Sequence, residues 1–257
     1  MEAVMEFSAT ALDSLATGAG VSSASVSAAA ATFGTVAAVW MAVGPMPQVQ
    51  AVRKCQSLAP VNLMQLSCGL LNAGSWLTFA LLTDLSEAIP VNAANVVFTF
   101  CLFYIVYANV QGEESVTVLI HLAFPILMLF TMIVFGLDGG KHSKHAQLIG
   151  QITCGFNMLL YAIPLSDLGD IVKTRTRGRL TLFGVLASFS CSLCWAVVGV
   201  VNRAAPMVIP NAAGVALSSL QLLIVLVLPA PRDPKSEPVA SPGKKANTNK
   251  KASKKKR

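Results

Sequence analysis

The chain has 257 residues, 54% of them hydrophobic and only 12% charged, with a mean hydropathy of +0.64. Soluble domains run at roughly a quarter charged residues, so half the usual charge is missing, which excludes an ordinary soluble domain and indicates an integral membrane protein. The net charge of +7 is not a property of the body, because Lys244 to Arg257 alone hold eight Lys and Arg and no acid.

Residues 1–28 are rich in Ala, Ser and Thr, with Glu2, Glu6 and Asp13 and no basic residue. A secretory signal needs a positive start and a transit peptide is rich in Arg, so neither fits, and a flexible N-terminal arm outside the cytosol is expected. Seven apolar runs follow, at about 29–50, 58–82, 88–110, 116–137, 147–171, 180–201 and 205–229. Each is long enough to cross about 30 Å of hydrocarbon as a helix. The tail, 230–257, is first proline-rich and then lysine-rich, and disorder is expected of it.

Two short stretches echo each other. Trp76 is followed sixteen residues later by Asn92, within Ile89-Pro90-Val91-Asn92, and Trp195 is followed sixteen residues later by Asn211, within Ile209-Pro210-Asn211. Proline suits the first turn of a helix, so each asparagine is expected just inside a new helix. It brings two donors and two acceptor lone pairs into a region with little else polar. The pairs stand 119 residues apart, which suggests a duplicated unit with one amide per half facing a shared cavity. The competing reading is that both asparagines simply cap their helices.

Seven spans divide as three, one and three, with 29–110 and 147–229 as the repeated triplets and 116–137 as an unmatched linker. Three spans reverse sidedness and a fourth restores it, so the halves are expected to be parallel. Lys and Arg concentrate in cytosolic loops. Placing Arg53, Lys54, Lys173, Arg175, Arg177, Arg179 and the basic tail inside puts the N-terminus outside and leaves Lys141, Lys144 and Arg203 on the outer side.

Charge within the spans is nearly absent. His121 lies in the fourth run, and Asp167 and Asp170 lie at the cytosolic end of the fifth. The two acids precede Lys173 and Arg175, so they read either as interfacial ion pairs or as a cytosolic gate or proton site. With no acid or histidine near Asn92 or Asn211, uncoupled movement of a neutral solute is favoured. The six cysteines are scattered, and Cys191-x-x-Cys194 reads as small apolar packing rather than a redox or metal motif. Neither a nucleophile motif nor a pair of carboxylates suggests an enzyme, and no cofactor or metal is implied. The basic tail could hold anionic cytosolic lipid or end in a dilysine retrieval signal; nucleic-acid binding is set aside.

The ordered set of residues resembles the SWEET sugar transporters, also called the MtN3/saliva family, within the PQ-loop superfamily. Tyr161-Ala162-Ile163-Pro164-Leu165-Ser166 leading into Val172-Lys173-Thr174 is similar to that family's fifth helix and basic loop. Trp195 with Gly199, and Ile209-Pro210-Asn211 with Gly214, Leu217 and Gln221, are similar to its sixth and seventh helices. Pro47-Gln48-Val49, Arg53-Lys54, Trp76 and Asn92 follow the same plan in the first half, so the resemblance covers about 33–228.

The resemblance implies an all-α membrane protein with seven transmembrane helices arranged as two parallel three-helix bundles joined by a linker helix. It also implies a sugar site of Asn92, Asn211, Trp76 and Trp195, with Pro47 and Pro164 as hinges or gates. An amide can meet adjacent hydroxyls with donor and acceptor together, and an aromatic face suits a sugar's C–H face. The family's other two hinge prolines would fall near Leu63 and Thr181, where this chain has none, Pro60 being the nearest to Leu63. Gly74, with Ser75 beside it, stands two before Trp76, where the family often has a small polar residue. The implied activity is bidirectional, energy-independent transport of a mono- or disaccharide by a homo-oligomer, in the plasma membrane or an endomembrane. The alternatives are a proton-coupled amino-acid exporter of the PQ-loop type and a non-transporting cargo receptor.

Overall fold

The computed structural model describes residues 2–162, 168–178 and 180–230, and every regular element among them is helical. In chain order these are α1 (Glu2–Gly18), α2 (Ser23–Val43), α3 (Met46–Cys55), α4 (Leu63–Thr83), α5 (Ile89–Tyr107), α6 (Glu113–Gly139), α7 (Lys144–Ala162), α8 (Leu168–Thr174), α9 (Leu182–Val201) and α10 (Ala205–Val227). A single 3₁₀ turn, Ser86–Ala88, leads into α5. Among the described residues six helical runs are long and apolar enough to cross a membrane: α2 with α3, α4, the turn with α5, α6, α9 and α10. The expected fifth run falls on α7, α8 and residues between them that are not described. Lys144, His145, Gln147, Gln151 and Asn157 make α7 the most polar of the long helices after α1.

The expectation of a flexible arm over 1–28 is corrected: α1 is helical and α2 starts at Ser23. Ala, Leu, Met and Glu are good helix formers, and α1 buries Met5, Ala9 and Ala16 in packing that touches α2 and α9. The Ser22 hydroxyl then accepts the Ser25 N–H at 3.1 Å and starts α2. The first run is also broken: α2 ends at a Gly44–Pro45 turn, and Pro45 is the N-cap of α3.

A constant offset of 119 residues runs through the backbone. Asn62 and Thr181 are N-caps of α4 and α9, each accepting the N–H three residues on, of Gln65 and of Gly184, at 3.1 Å. These caps stand where prolines would be expected from the resemblance, and each satisfies one of the donors that a helix start leaves open. Left-handed backbone is uncommon outside glycine, yet Gln56 and Arg175 share φ 51°, and Asp84 and Arg203 have φ 56° and 52°. The same offset relates the ends of α3 and α8 and the starts of α4 and α9.

Packing follows the same pattern. α4 pairs with α5, and α9 with α10. Between the halves α2 lies on α9 and α7 lies on α4, which are equivalent contacts under the offset. Glycine permits both close approaches. A Cβ at Gly34 would lie 3.1 Å from Trp195 Nε1, and one at Gly150 would lie 2.6 Å from the Phe79 ring. Among the described residues the buried core has two parts. One, around Phe79, Ala80, Leu82, Ile149, Val198 and Met207, fills the end where α4 stops and α10 starts. The other, around Val52, Leu66, Leu70, Phe103 and Val118, fills the opposite end of the first half. α6 leaves Ile120, Phe124, Leu127, Phe130 and Leu137 exposed, an apolar surface suited to lipid.

Candidate functional site

A cavity of about 340 Å³ runs between the halves and is lined from α2, α4, α5, α7, α9 and α10. Trp76, Trp195, Asn92 and Asn211 all stand on its wall. Its head lies against the first core cluster, where Trp76, Trp195 and Asn211 are only 6%, 8% and 5% exposed. From there it runs past Ser188, Asn157 and Gln221, all half-buried, to Met41 and Gln65, both exposed. The burial gradient shows which end is open: the one that carries Arg53, Lys54, Lys173 and Arg175. No charged side chain lines it among the described residues.

The two amides are held alike. Asn92 Nδ2 donates to the Ala88 carbonyl at 2.8 Å, and Asn211 Nδ2 donates to the Met207 carbonyl at 2.7 Å. A capping asparagine would accept a backbone N–H instead. The N-caps of α5 and α10 are Ala88 and Ala204, neither with a side-chain bond, so the capping alternative fails. Tying one N–H back leaves the second N–H and the carbonyl oxygen with no partner among the described residues. Such an amide is pre-oriented, with one donor and one acceptor for a ligand. The placement of Asn211 differs from expectation, because α10 begins at Ala205 with Pro206 in its first turn and Pro210 inside the helix. Asn211 therefore stands in the second turn rather than the first.

The aromatic pair sits against firm supports. Trp76 meets Phe79 edge-on, with centroids 5.8 Å apart and planes at 77°, a favourable aromatic geometry. Trp195 lies over Gly34 at the α2–α9 seam. Beyond the head, Asn202 donates to the Ser27 hydroxyl at 3.3 Å, and that hydroxyl donates to Glu87 Oε1 at 3.4 Å. This links the end of α9 to α2 and the 3₁₀ turn on the closed side. Nearby, Lys141 and His142 both bond the Asp84 carboxylate, the latter at 3.0 Å. Those bonds hold the Asp84 carboxyl below its ordinary value of 3.8.

Several lining residues escape a reading of the sequence. Six pairs on the wall obey the 119-residue offset: Ala38 and Asn157, Met41 and Leu160, Asn72 and Cys191, Trp76 and Trp195, Ala88 and Met207, Asn92 and Asn211. The counterparts of Asn72 and Asn157 under the offset, Cys191 and Ala38, are not amides, so the repeat gives no sequence signal for either. The position expected two before Trp76 is corrected. Gly74 faces Leu129 of α6 and not the cavity, because at 3.6 residues per turn two positions away is the far side of a helix. Asn72, four before, faces the cavity, and its buried Oδ1 has no partner among the described residues.

Pro47 stands in the first turn of α3, where its missing N–H leaves nothing unsatisfied, and the joint itself is at Gly44–Pro45. Pro164, Asp167 and the lysine-rich tail lie outside the described residues. His121 is away from the cavity; its Nδ1 lies 3.2 Å from the Ser67 hydroxyl, which donates to the His121 carbonyl at 2.8 Å and ties α6 to α4.

Residues 147–233 match the model of a family described as sugar efflux transporters for intercellular exchange, MtN3_slv. The chain is 25% identical to the bidirectional sugar transporter SWEET1 of Arabidopsis thaliana over 76% of its own length and 80% of that protein's. It is 26% identical to the sugar transporter SWEET1 of Mus musculus over 63% of its own length and 72% of that protein's. The chain is thus similar to SWEET transporters over most of its length. A solved structure of a eukaryotic SWEET transporter superposes on this chain with a TM-score of 0.71, covering 78% of it and 95% of the transporter chain at 18% identity. That likeness carries the fold.

Proposed function

We infer that this chain moves neutral sugars across a membrane, in either direction and without coupling to an ion gradient, by alternating access to the cavity between its halves. The observation that carries the reading is the cavity head: two asparagines and two tryptophans in pairs 119 residues apart, free amide groups on both, and no charge on the wall among the described residues. A sugar offers neighbouring hydroxyls and an apolar C–H face, and a pocket mixing a few polar groups with aromatics is the general pattern for such ligands. The names of the curated relatives support the same substrate class.

The offset supports a finer architecture. Seven spans, with α7 and α8 forming the fifth, divide as three, one and three around α6. The positive-inside rule puts the Arg53, Lys54, Lys173 and Arg175 end in the cytosol and the N-terminus outside. The cavity is then open to the cytosol and closed outside. Outward opening separates α2 from α9 beyond Trp195, with Gly44–Pro45 and the equivalent Pro164 as joints. Anionic lipid at the lysine-rich tail, a homo-oligomer and the plasma membrane complete the reading.

The test is counterflow in liposomes holding the purified protein, with radiolabelled glucose, sucrose and, as rival substrate, a neutral amino acid. Sugar-specific counterflow is expected. Amino-acid counterflow without sugar flux would overturn the reading in favour of an exporter of the PQ-loop type.

A further inference from the structure

The helix that joins the halves has a counterpart at the start of the chain. α6 ends at Gly139 and α7 starts at Lys144 after residues 140–143, while α1 ends at Gly18 and α2 starts at Ser23 after residues 19–22. Both connections close on a serine whose hydroxyl accepts the N–H three residues on: Ser143 from Ala146 and Ser22 from Ser25, each at 3.1 Å. Glycine, connection and serine cap therefore recur 121 residues apart. The excess of two over the usual offset is taken up by α2, which has 21 residues where α7 has 19.

Packing repeats as well. α6 lies on α4 and α7, and α1 lies on α9 and α2, which are the same partners under the repeat. α1 thus takes in one half the place that α6 takes in the other. The two are held differently. α6 is long and apolar enough to cross a membrane, and Leu129 occupies the space over Gly74 of α4. The Ser67 hydroxyl donates to the His121 carbonyl, and Glu114 accepts the Ser57 hydroxyl at 2.9 Å and the Leu58 N–H at 3.2 Å. α1 has 17 residues, among them Glu2, Glu6 and Asp13. It buries Met5, Ala9 and Ala16, whose intervals of four and seven put them on one stripe of the helix.

The seam beneath α1 is the one that must part under the proposed mechanism. α2 and α9 meet there through Gly34, Cys194 and Trp195, and separating them admits the outside to the head of the cavity. A helix that touches both sides of a seam favours the closed state, because parting the two sides breaks its contact with one of them, and an equilibrium shifts by that difference. A stripe of one methionine and two alanines is a contact that can be released without unfolding the bundle.

We propose that α1 is a strap across the α2–α9 seam: it holds the cavity shut on the outer side, and its release sets how often the outward-open state forms. This rests on the transport reading above and adds to it a control that lies outside the sugar tier.

The test is the rate at which a charged, membrane-impermeant methanethiosulfonate labels Cys191 from outside in sealed right-side-out vesicles. Cys191 lines the cavity, whose outer end is closed in this structure, so labelling from that side reports outward-open molecules. Cys55, Cys68, Cys101, Cys154 and Cys194 are changed to alanine in every protein compared. Ala9→Glu puts a carboxylate into the buried stripe, Met5→Ala trims the stripe without a charge, and Ala11→Glu puts the same carboxylate on the exposed side of α1. Ala9→Glu is expected to speed labelling about tenfold, the scale of a modest coupling between two states. Met5→Ala should speed it about threefold on the same scale, with Ala11→Glu close to the background. Labelling from the cytosolic side, in inside-out vesicles, should stay close to the background in all of them, which separates release of the strap from misfolding; Met5→Ala decides the matter if Ala9→Glu does not fold. Outside rates in Ala9→Glu and Met5→Ala equal to the background would overturn the strap, as would equal acceleration by Ala9→Glu and Ala11→Glu. Either result leaves the transport reading standing, because the background is itself labelled from outside. Labelling from the cytosolic side alone, in the background and every variant, would be the failure of alternating access and of the strap with it.

Discussion

The amides of the head offer the sharpest perturbation. In Asn92→Ala and Asn211→Ala the lost bond within the protein is the one from Nδ2 to the carbonyl four residues earlier. Alanine is the better helix former, so stability should move little. What is removed towards a ligand is one donor and one acceptor per amide. At about 0.5–1.5 kcal/mol net for each hydrogen bond, each substitution should weaken binding by about 1–3 kcal/mol, or roughly 5- to 150-fold in Kd. The protein supplies its own reporter. Of three tryptophans, Trp76 and Trp195 line the cavity and Trp40 is exposed. In a Trp40→Phe background, sugar titration followed by tryptophan fluorescence therefore reads the site alone. The expected result is a shifted Kd at an unchanged melting temperature. A Kd within about twofold of the background in both variants would refute the assignment, as would an affinity loss that merely tracks a fall in melting temperature.

Other consequences are checked separately. Gly34→Leu forces a side chain into Trp195 at the α2–α9 seam and should cost about 1–3 kcal/mol by overpacking; Gly69→Leu, where nothing lies within 4 Å, should be neutral in the same thermal melts. Asn62→Ala and Thr181→Ala each remove an N-cap and should each lower stability by about 1 kcal/mol without changing sugar affinity, and an affinity change would contradict their placement outside the cavity. The Asp84 carboxyl titrates below 3.8, so its contact with Lys141 and His142 is present above that value and lost as pH falls through the lowered one. Asp84→Asn should speed hydrogen exchange at the His142 amide, which bonds the Leu82 carbonyl, and acidification well below pH 3.8 should do the same to wild type. Unchanged exchange in the variant would show that the loop is held by backbone alone.

Much of this architecture was legible because a membrane span announces itself through composition. The apolar runs gave most of the long helices to within a few residues, and the Trp–Asn spacing pointed to four residues that line one cavity. The difficulties have separate physical origins. Ala, Ser and Thr in α1 form a helix but give no apolar stripe strong enough to be read, because among its described side chains only Met5, Ala9 and Ala16 are buried. The start of α10 was hidden because Pro206 and Pro210 both suit early helix positions, and only packing chooses between them. Asn72 and Asn157 read only as isolated polar residues in apolar runs, since burial against a cavity and burial in a core look alike along a chain. The joint at Gly44–Pro45 lay two residues from the proline favoured by resemblance. Pro45 stands 119 residues before Pro164, the same offset that relates Asn62 to Thr181.

The most direct measurement of the central claim is sucrose and glucose exchange in proteoliposomes at zero, inward and outward proton gradients, for wild type and for the Asn92→Ala/Asn211→Ala double variant. The account predicts wild-type flux that follows the sugar gradient alone, is indifferent to the proton gradient, and collapses in the double variant while the protein remains folded. Flux that requires a proton gradient, or that survives loss of both amides, would contradict it.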